Sequence, residues 1–202
     1  GEATALRLGG EGAEFVVTGN EVGISEAVVS GIQSYGGTAT FVRVDLGHIE
    51  DIRALAEESV NAHGPIDVVV NNAAIQSEPT VREAKTDQWQ EVFNLNYRAY
   101  WLLIRILLDH LSSGASIVNI SSNPAHHTNP GEFPYNAIKA GVQGMTRAMA
   151  LDRAPLGVWV NSVASDWILL ERTKRALFEE DLWYLGLSIR SGDSVGPRML
   201  QP

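Results

Sequence analysis

Short apolar runs alternate with longer stretches of helical period through most of this chain, and that alternation leaves few folds open. Residues 15–18, 39–44, 66–70, 117–120 and 158–163 read as strands, because each is nearly continuous in apolar character. Between them, residues 25–35, 49–62, 87–111 and 135–153 carry apolar side chains at helical spacing. Gly36-Gly37, Gly64-Pro65 and Ser113-Gly114 punctuate the changes, as helix ends require. Strands that are apolar throughout and separated by helices belong to a parallel sheet covered on both faces. The expectation is a doubly wound α/β fold in which residues 1–202 form one domain.

Composition narrows the function classes. The chain is 45% hydrophobic and 19% charged, with a mean hydropathy of -0.03, values normal for a packed protein. Its net charge of -9 would repel a phosphate backbone and an anionic membrane alike, so neither nucleic acid nor membrane is an expected partner. The absence of cysteine removes thiolate metal sites and Cys nucleophiles. Residues 100–108, the longest apolar stretch, are interrupted by Arg105, far short of a bilayer span. Residues 1–10 have neither a basic start nor an apolar run, so no secretory signal is read there and a cytoplasmic location is expected.

Two constellations carry chemistry. The first is the turn Thr18-Gly19-Asn20-Glu21-Val22-Gly23-Ile24-Ser25 between a strand and a helix, where backbone N–H groups can approach a diphosphate. Alone it is also what any tight strand-to-helix loop looks like. The second begins with residues 117–122, a strand that delivers Ser122 at its C-terminal end, where open α/β sheets bind ligands. Tyr135 follows thirteen positions on and Lys139 four after that. Residues four apart share a helix face, so the Lys139 ammonium can favour the ionised form of the Tyr135 phenol. Lowering a phenol from ~10 by about 3 units takes roughly 4 kcal/mol, which a close, partly desolvated lysine can largely supply. With five tyrosines and three lysines in 202 residues, a Tyr-x-x-x-Lys spacing is expected by chance roughly 0.07 times.

The turn 18–25, the segment Asp67-Val68-Val69-Val70-Asn71-Asn72-Ala73-Ala74, the serine strand and Tyr135-Asn136-Ala137-Ile138-Lys139 together resemble the short-chain dehydrogenase/reductase family. The resemblance runs from about Leu6 to Val163. It implies a Rossmann-like sheet, NAD or NADP as cofactor, and oxidation or reduction of an alcohol/carbonyl pair on a small molecule. By the same resemblance Tyr135 is the general acid/base, Ser122 holds the substrate oxygen, and Lys139 binds the nicotinamide ribose. Asn96 would hold a water linking Lys139 to solvent, with Asn94 as the alternative. An Asn in the apolar stripe of a helix needs a buried polar partner or a function. The cofactor would lie along Gly19, Asn20, Gly23 and Ile24, then Asp45 and Leu46, then Asn72, Ala73 and Ala74, with Tyr135, Lys139 and Ile168 at the nicotinamide end. Glu21 in the turn, with no cation for a 2′-phosphate, tilts the choice to NAD. The resemblance also implies a homodimer or homotetramer through the helices 89–111 and 135–153, with Tyr97, Arg98, Trp101 and Arg105 on an outer face.

The chain departs from the family pattern in four places. Residues 18–45 are about 20 short, roughly one βα unit, so either a segment is missing or the strand 39–44 has moved beside the first. Both alternatives put Asp45 near the adenosine half. Ser25 and Ala74 stand where glycines are usual. Ser165-Asp166 replaces a Pro-Gly and Leu170 a threonine. Beyond Arg172 the substrate-covering helices are abbreviated, and residues 195–200 replace a strand. These departures leave a rival open: an impaired nucleotide-binding module or partner-binding pseudoenzyme. The adjacent His126-His127 lack a carboxylate at ligand spacing, so no metal is expected. Asn119-Ile120-Ser121, a glycosylation acceptor by pattern, falls inside a buried strand.

Overall fold

The structure, a computed structural model, describes residues 1–165 except 78, 127 and 129–130. Its elements run α1 (Glu2–Gly10), β1 (Phe15–Gly19), α2 (Val22–Ser34), β2 (Ala39–Arg43), α3 (Ile49–His63), β3 (Ile66–Asn71) and α4 (Thr86–Phe93). A π-helical turn (Asn94–Arg98) then leads into α5 (Ala99–Leu107), followed by β4 (Leu111–Ser122), α6 (Tyr135–Arg153) and β5 (Trp159–Ser165). Ile168, Asp166, Leu170, His127 and residues 195–200, all singled out above, lie outside the described residues.

The strands form at the apolar runs, and their side chains alternate between two helical layers. Val17 and Ala39 pack with Ala5, Val28 and Ile32 of α1 and α2, whereas Val42 and the following Val44 pack with Leu55 of α3. Helices on both faces are what the near-continuous apolar strands required. β1 runs parallel to β2 from Phe15↔Ala39 to Gly19↔Arg43, and β4 lies between β3 and β5, parallel to β3. Ser113-Gly114, read as a break, instead lies within β4. Gly114 has φ +83, and the pairing shifts from Ile66↔Leu111 to Val68↔Ser116, so the glycine absorbs a bulge. Among the described residues no helix is long and apolar enough to cross a membrane.

The sheet comes in two pieces, β1-β2 and β3-β4-β5. Helices α3 and α5 bridge them: Leu55 faces the β2 side, its neighbour Ala56 packs with Val69, Ile104 and Ile117, and Leu103 touches both clusters. Of the two alternatives for the short stretch 18–45, the pairing is that of a strand 39–44 lying beside the first, since β2 runs directly against β1. The discontinuity of the sheet falls between β1 and β3. There Val68, in mid-strand, is 51% exposed, although a strand inside a parallel sheet has both faces covered.

Helix α1 was not expected, because its buried contacts come from small residues, Ala5 and Gly9, rather than from an apolar stripe. A Cβ on Gly9 would stand 2.6 Å from Ile32 Cγ2, so the absent side chain is what lets α1 lie against α2. β1 thus follows a helix docked on α2.

Candidate active site

The polar groups at the C-terminal ends of β3 and β4 are knitted into one network. Asn71, the last residue of β3, donates to Asn119 Oδ1 at 2.8 Å, and Asn119 donates to Thr146 Oγ1 of α6 at 3.0 Å. Ser121 donates to the Lys139 carbonyl at 2.9 Å and accepts from Gln143 at 3.1 Å. Each of these buried groups is satisfied, as burial demands, and together they fix α6 against the two strand ends. Ser122 closes β4 on the next residue and is half-buried. Tyr135 opens α6, also half-buried, and Lys139 lies one turn further along.

Lys139 is 1% exposed, a rare state for an amine. Its Nζ donates to the Ile120 carbonyl at 2.7 Å and to Tyr100 Oη at 3.4 Å, and it stands 5.8 Å from the centre of the Tyr135 ring. Burial away from water lowers the ammonium from the usual lysine range to about 8. Because the folded value lies below the unfolded one, the penalty on the charged amine is fully present at neutral pH and disappears above about 10.5. Lys139→Met is therefore expected to stabilise the protein at pH 7 by about 1–3 kcal/mol. Thermal melts should show that advantage vanishing at strongly alkaline pH. An equal gain at every pH would contradict a charged lysine at this position.

Asn96 is fully buried in the π-helical turn. Its Oδ1 accepts from Ile75 N at 2.9 Å and its Nδ2 donates to Ile75 O at 2.8 Å. Both ends of the amide thus bond the loop after β3, which makes Asn96 a clamp on that loop. Asn94 instead accepts from Gln90 at 2.6 Å in an exposed contact. The wider π turn, a feature often found at functional sites, also changes the face predicted for this helix. Tyr97 stacks on Phe93 and lies against Gly141 of α6, and Arg98 donates to the Gly47 carbonyl at 2.5 Å. Both point inward. Only Trp101 and Arg105 of the four keep an exposed position.

The remaining cofactor candidates divide. Asn72 is exposed at the end of β3, where its Oδ1 accepts from the Gly1 amino group at 3.3 Å. The amino end of α1 therefore sits beside Asn72. Ala73 and Ala74 follow in the loop that Tyr100 and Asn96 hold. Asp45 is exposed just beyond β2; its Oδ1 accepts from Gly47 N at 2.8 Å and its Oδ2 lies 3.1 Å from His48 Nδ1. Leu46 packs into the core beside Val42 and Ile52.

The turn 18–25 does not have the features of a diphosphate cradle. Gly23 has open space where a Cβ would stand, and neither Gly19 nor Gly23 has positive φ. Ile24 is exposed and Asn20 and Glu21 likewise, and Glu21 places a carboxylate at the N-cap of α2, where it would oppose an anion. β1, which carries the turn, is paired on one side alone. A strand-glycine-helix signature accompanies many βα turns of such a sheet, so it does not by itself single out this one.

Tyr100 was not expected at the site. Buried at 1%, it donates to the Ala73 carbonyl at 2.9 Å. Its place four residues after Asn96, on the same helical face, was the available signal. As a whole, the arrangement offers a half-exposed phenol, a buried amine one turn away and a serine at the strand end, a set suited to moving a proton.

The family model described as short chain dehydrogenase matches residues 1–179. A hydroxynaphthalene reductase of Aspergillus fumigatus is 31% identical over 184 residues, covering 91% of this chain and 66% of its own length. A 3-oxoacyl-(acyl-carrier-protein) reductase of Synechocystis is 32% identical over 191 residues, covering 93% of this chain and 77% of its own. Among solved structures, a blue fluorescent protein from a metagenomic library, in complex with NADPH, superimposes with a TM-score of 0.77 at 29% identity. That match covers 81% of this chain and 69% of the other. The chain thus spans about two thirds of the length of the first of these relatives.

Proposed function

The chain belongs to the short-chain dehydrogenase family, and from that premise we propose that it is an NAD(P)-dependent oxidoreductase interconverting an alcohol and a carbonyl on a small molecule. The observation that carries this reading is the nearly complete burial of Lys139 one helical turn from Tyr135. A buried amine is costly in a structural role, whereas beside a reacting phenol its charge stabilises the phenolate. The two named reductases among the relatives support the same reaction class.

The residues fit the nicotinamide and ribose end of the cofactor. Lys139 has three N–H donors, of which Ile120 and Tyr100 take two, so one is left for a ribose hydroxyl. Asn72, Ala73 and Ala74 follow the C-terminal end of β3, the side of the sheet where such cofactors lie. When bound, the cofactor supplies or takes up the hydride. In carbonyl reduction Ser122 donates a hydrogen bond to the substrate oxygen, and Tyr135 gives its phenolic proton to that oxygen. Lys139 then favours the resulting phenolate until it is reprotonated. In alcohol oxidation the same groups run in reverse. Asn96 contributes by holding Ile75 and with it the loop that borders the crevice.

The exposed carboxylate of Asp45 just beyond β2 disfavours a 2′-phosphate and supports NAD as the cofactor, although the matched solved protein is in complex with NADPH. Assembly as a homodimer or homotetramer through α5 and α6 belongs to the same proposal, with exposed Trp101 and Arg105, 5.8 Å from ring centre to guanidinium, as part of the contact. Titrating NADH and NADPH by fluorescence, and then adding a panel of ketones, tests the proposal. Binding followed by ketone-dependent oxidation of either cofactor is expected.

One observation favours a second reading. The split between β1 and β3 leaves the middle of the sheet open, so this chain on its own would hold the proton-transfer groups without retaining a dinucleotide. In that case neither cofactor would bind, while the Lys139→Met stability effect would remain.

A further inference from the structure

We propose that Tyr100 is a positioning residue of this site: its hydroxyl, set between the Ala73 carbonyl and the Lys139 ammonium, holds the amine in register with the loop after β3. This rests on the oxidoreductase reading for its consequence in catalysis but on geometry for its existence. The Tyr100 O–H donates to Ala73 O at 2.9 Å. A phenol has one proton, so toward Lys139 Nζ, 3.4 Å away, the oxygen acts as acceptor. The two contacts chain the loop, the phenol and the ammonium together, and Ile120 of β4 takes a second N–H of the amine at 2.7 Å.

The ring packs with Val142 and Met145, a contact that phenylalanine would make equally well. The hydroxyl therefore needs a separate reason, because an unpaired one would be costly at this burial. Burial first, and then the negative charge that Tyr135 would carry, push the Tyr100 phenol well above its usual range. It stays protonated, donating to Ala73 and accepting from Lys139, while Tyr135 exchanges its proton. Among the described residues, the titratable groups around the ammonium are these two phenols, Tyr100 from α5 and Tyr135 from α6.

Removing the Tyr100 oxygen withdraws an acceptor from the charged amine, so the ammonium becomes easier to deprotonate. With lysine carbon-13 labelled at Cε, the three lysines can be titrated in the protein without cofactor. Tyr100→Phe is expected to lower the Lys139 midpoint by about half to one unit. The alkaline limb of the kcat/KM profile for ketone reduction should move down by the same amount. Fluorotyrosine at position 100 keeps the hydroxyl but weakens it as an acceptor, and should shift the midpoint the same way by less. It also serves if Tyr100→Phe does not fold. An unmoved Lys139 midpoint, with any loss of rate equal at all pH values, would overturn the proposal and leave Tyr100 as packing. A shifted midpoint in a protein that turns over no ketone would keep the proposal and remove the oxidoreductase reading instead.

Discussion

Tyr135→Phe is expected to lower kcat for ketone reduction by roughly 10²–10⁴-fold, the usual contribution of a positioned proton donor. The substitution removes one oxygen from a half-buried ring at the start of α6 and leaves the ring's packing in place. Its melting temperature should therefore stay near that of the parent, and cofactor binding should persist because Lys139 keeps its bonds to Ile120 and Tyr100. Steady-state rates across pH, alongside binding titrations, check both halves. A variant that binds cofactor and reduces ketones as fast as the parent would assign the proton to another group.

The second large effect concerns stability. Asn96→Ala removes both partners of the Ile75 backbone, whose N–H and carbonyl now bond the amide at 2.9 and 2.8 Å. Leaving two part-buried backbone groups unsatisfied costs about 2–4 kcal/mol, which for a domain of this size lowers Tm by roughly 5–15 °C. The loop carrying Ala73 and Ala74 would loosen first, so activity should fall more steeply with temperature than global unfolding does. Asn94→Ala makes the comparison specific: its contact with Gln90 is exposed, and its loss should change stability by within about 0.5 kcal/mol. Equal effects from the two substitutions would contradict the clamp. Calorimetric melts of both variants measure the difference.

The alternation of strand and helix was legible because burying both faces of a parallel sheet forces apolar runs at Phe15, Ala39, Ile66 and Ile117. The spacing of Tyr135 and Lys139 was legible for a similar reason: four residues on a helix are one turn, whatever the surroundings. What spacing does not carry is depth. That Lys139 is buried, and that Tyr100 reaches it from 39 residues away in sequence, depends on how α5 and α6 pack. Gly141 permits that packing, since a Cβ there would stand 3.0 Å from the Tyr97 ring. Helix α1 escaped notice because close packing of Ala5 and Gly9 leaves no apolar periodicity to read. The π turn likewise leaves no trace in local composition, yet its extra width turns Tyr97 and Arg98 inward.

The central claim is that Tyr135 and its buried lysine serve hydride exchange between a nicotinamide and a carbonyl. The most direct measurement is transfer of deuterium from reduced cofactor labelled at the nicotinamide C4 into a ketone, followed by mass spectrometry of the alcohol. The parent protein should place deuterium on the carbinol carbon, and Tyr135→Phe should do so far more slowly. Cofactor bound by the parent, with no deuterium reaching any ketone of a broad panel, would contradict the account.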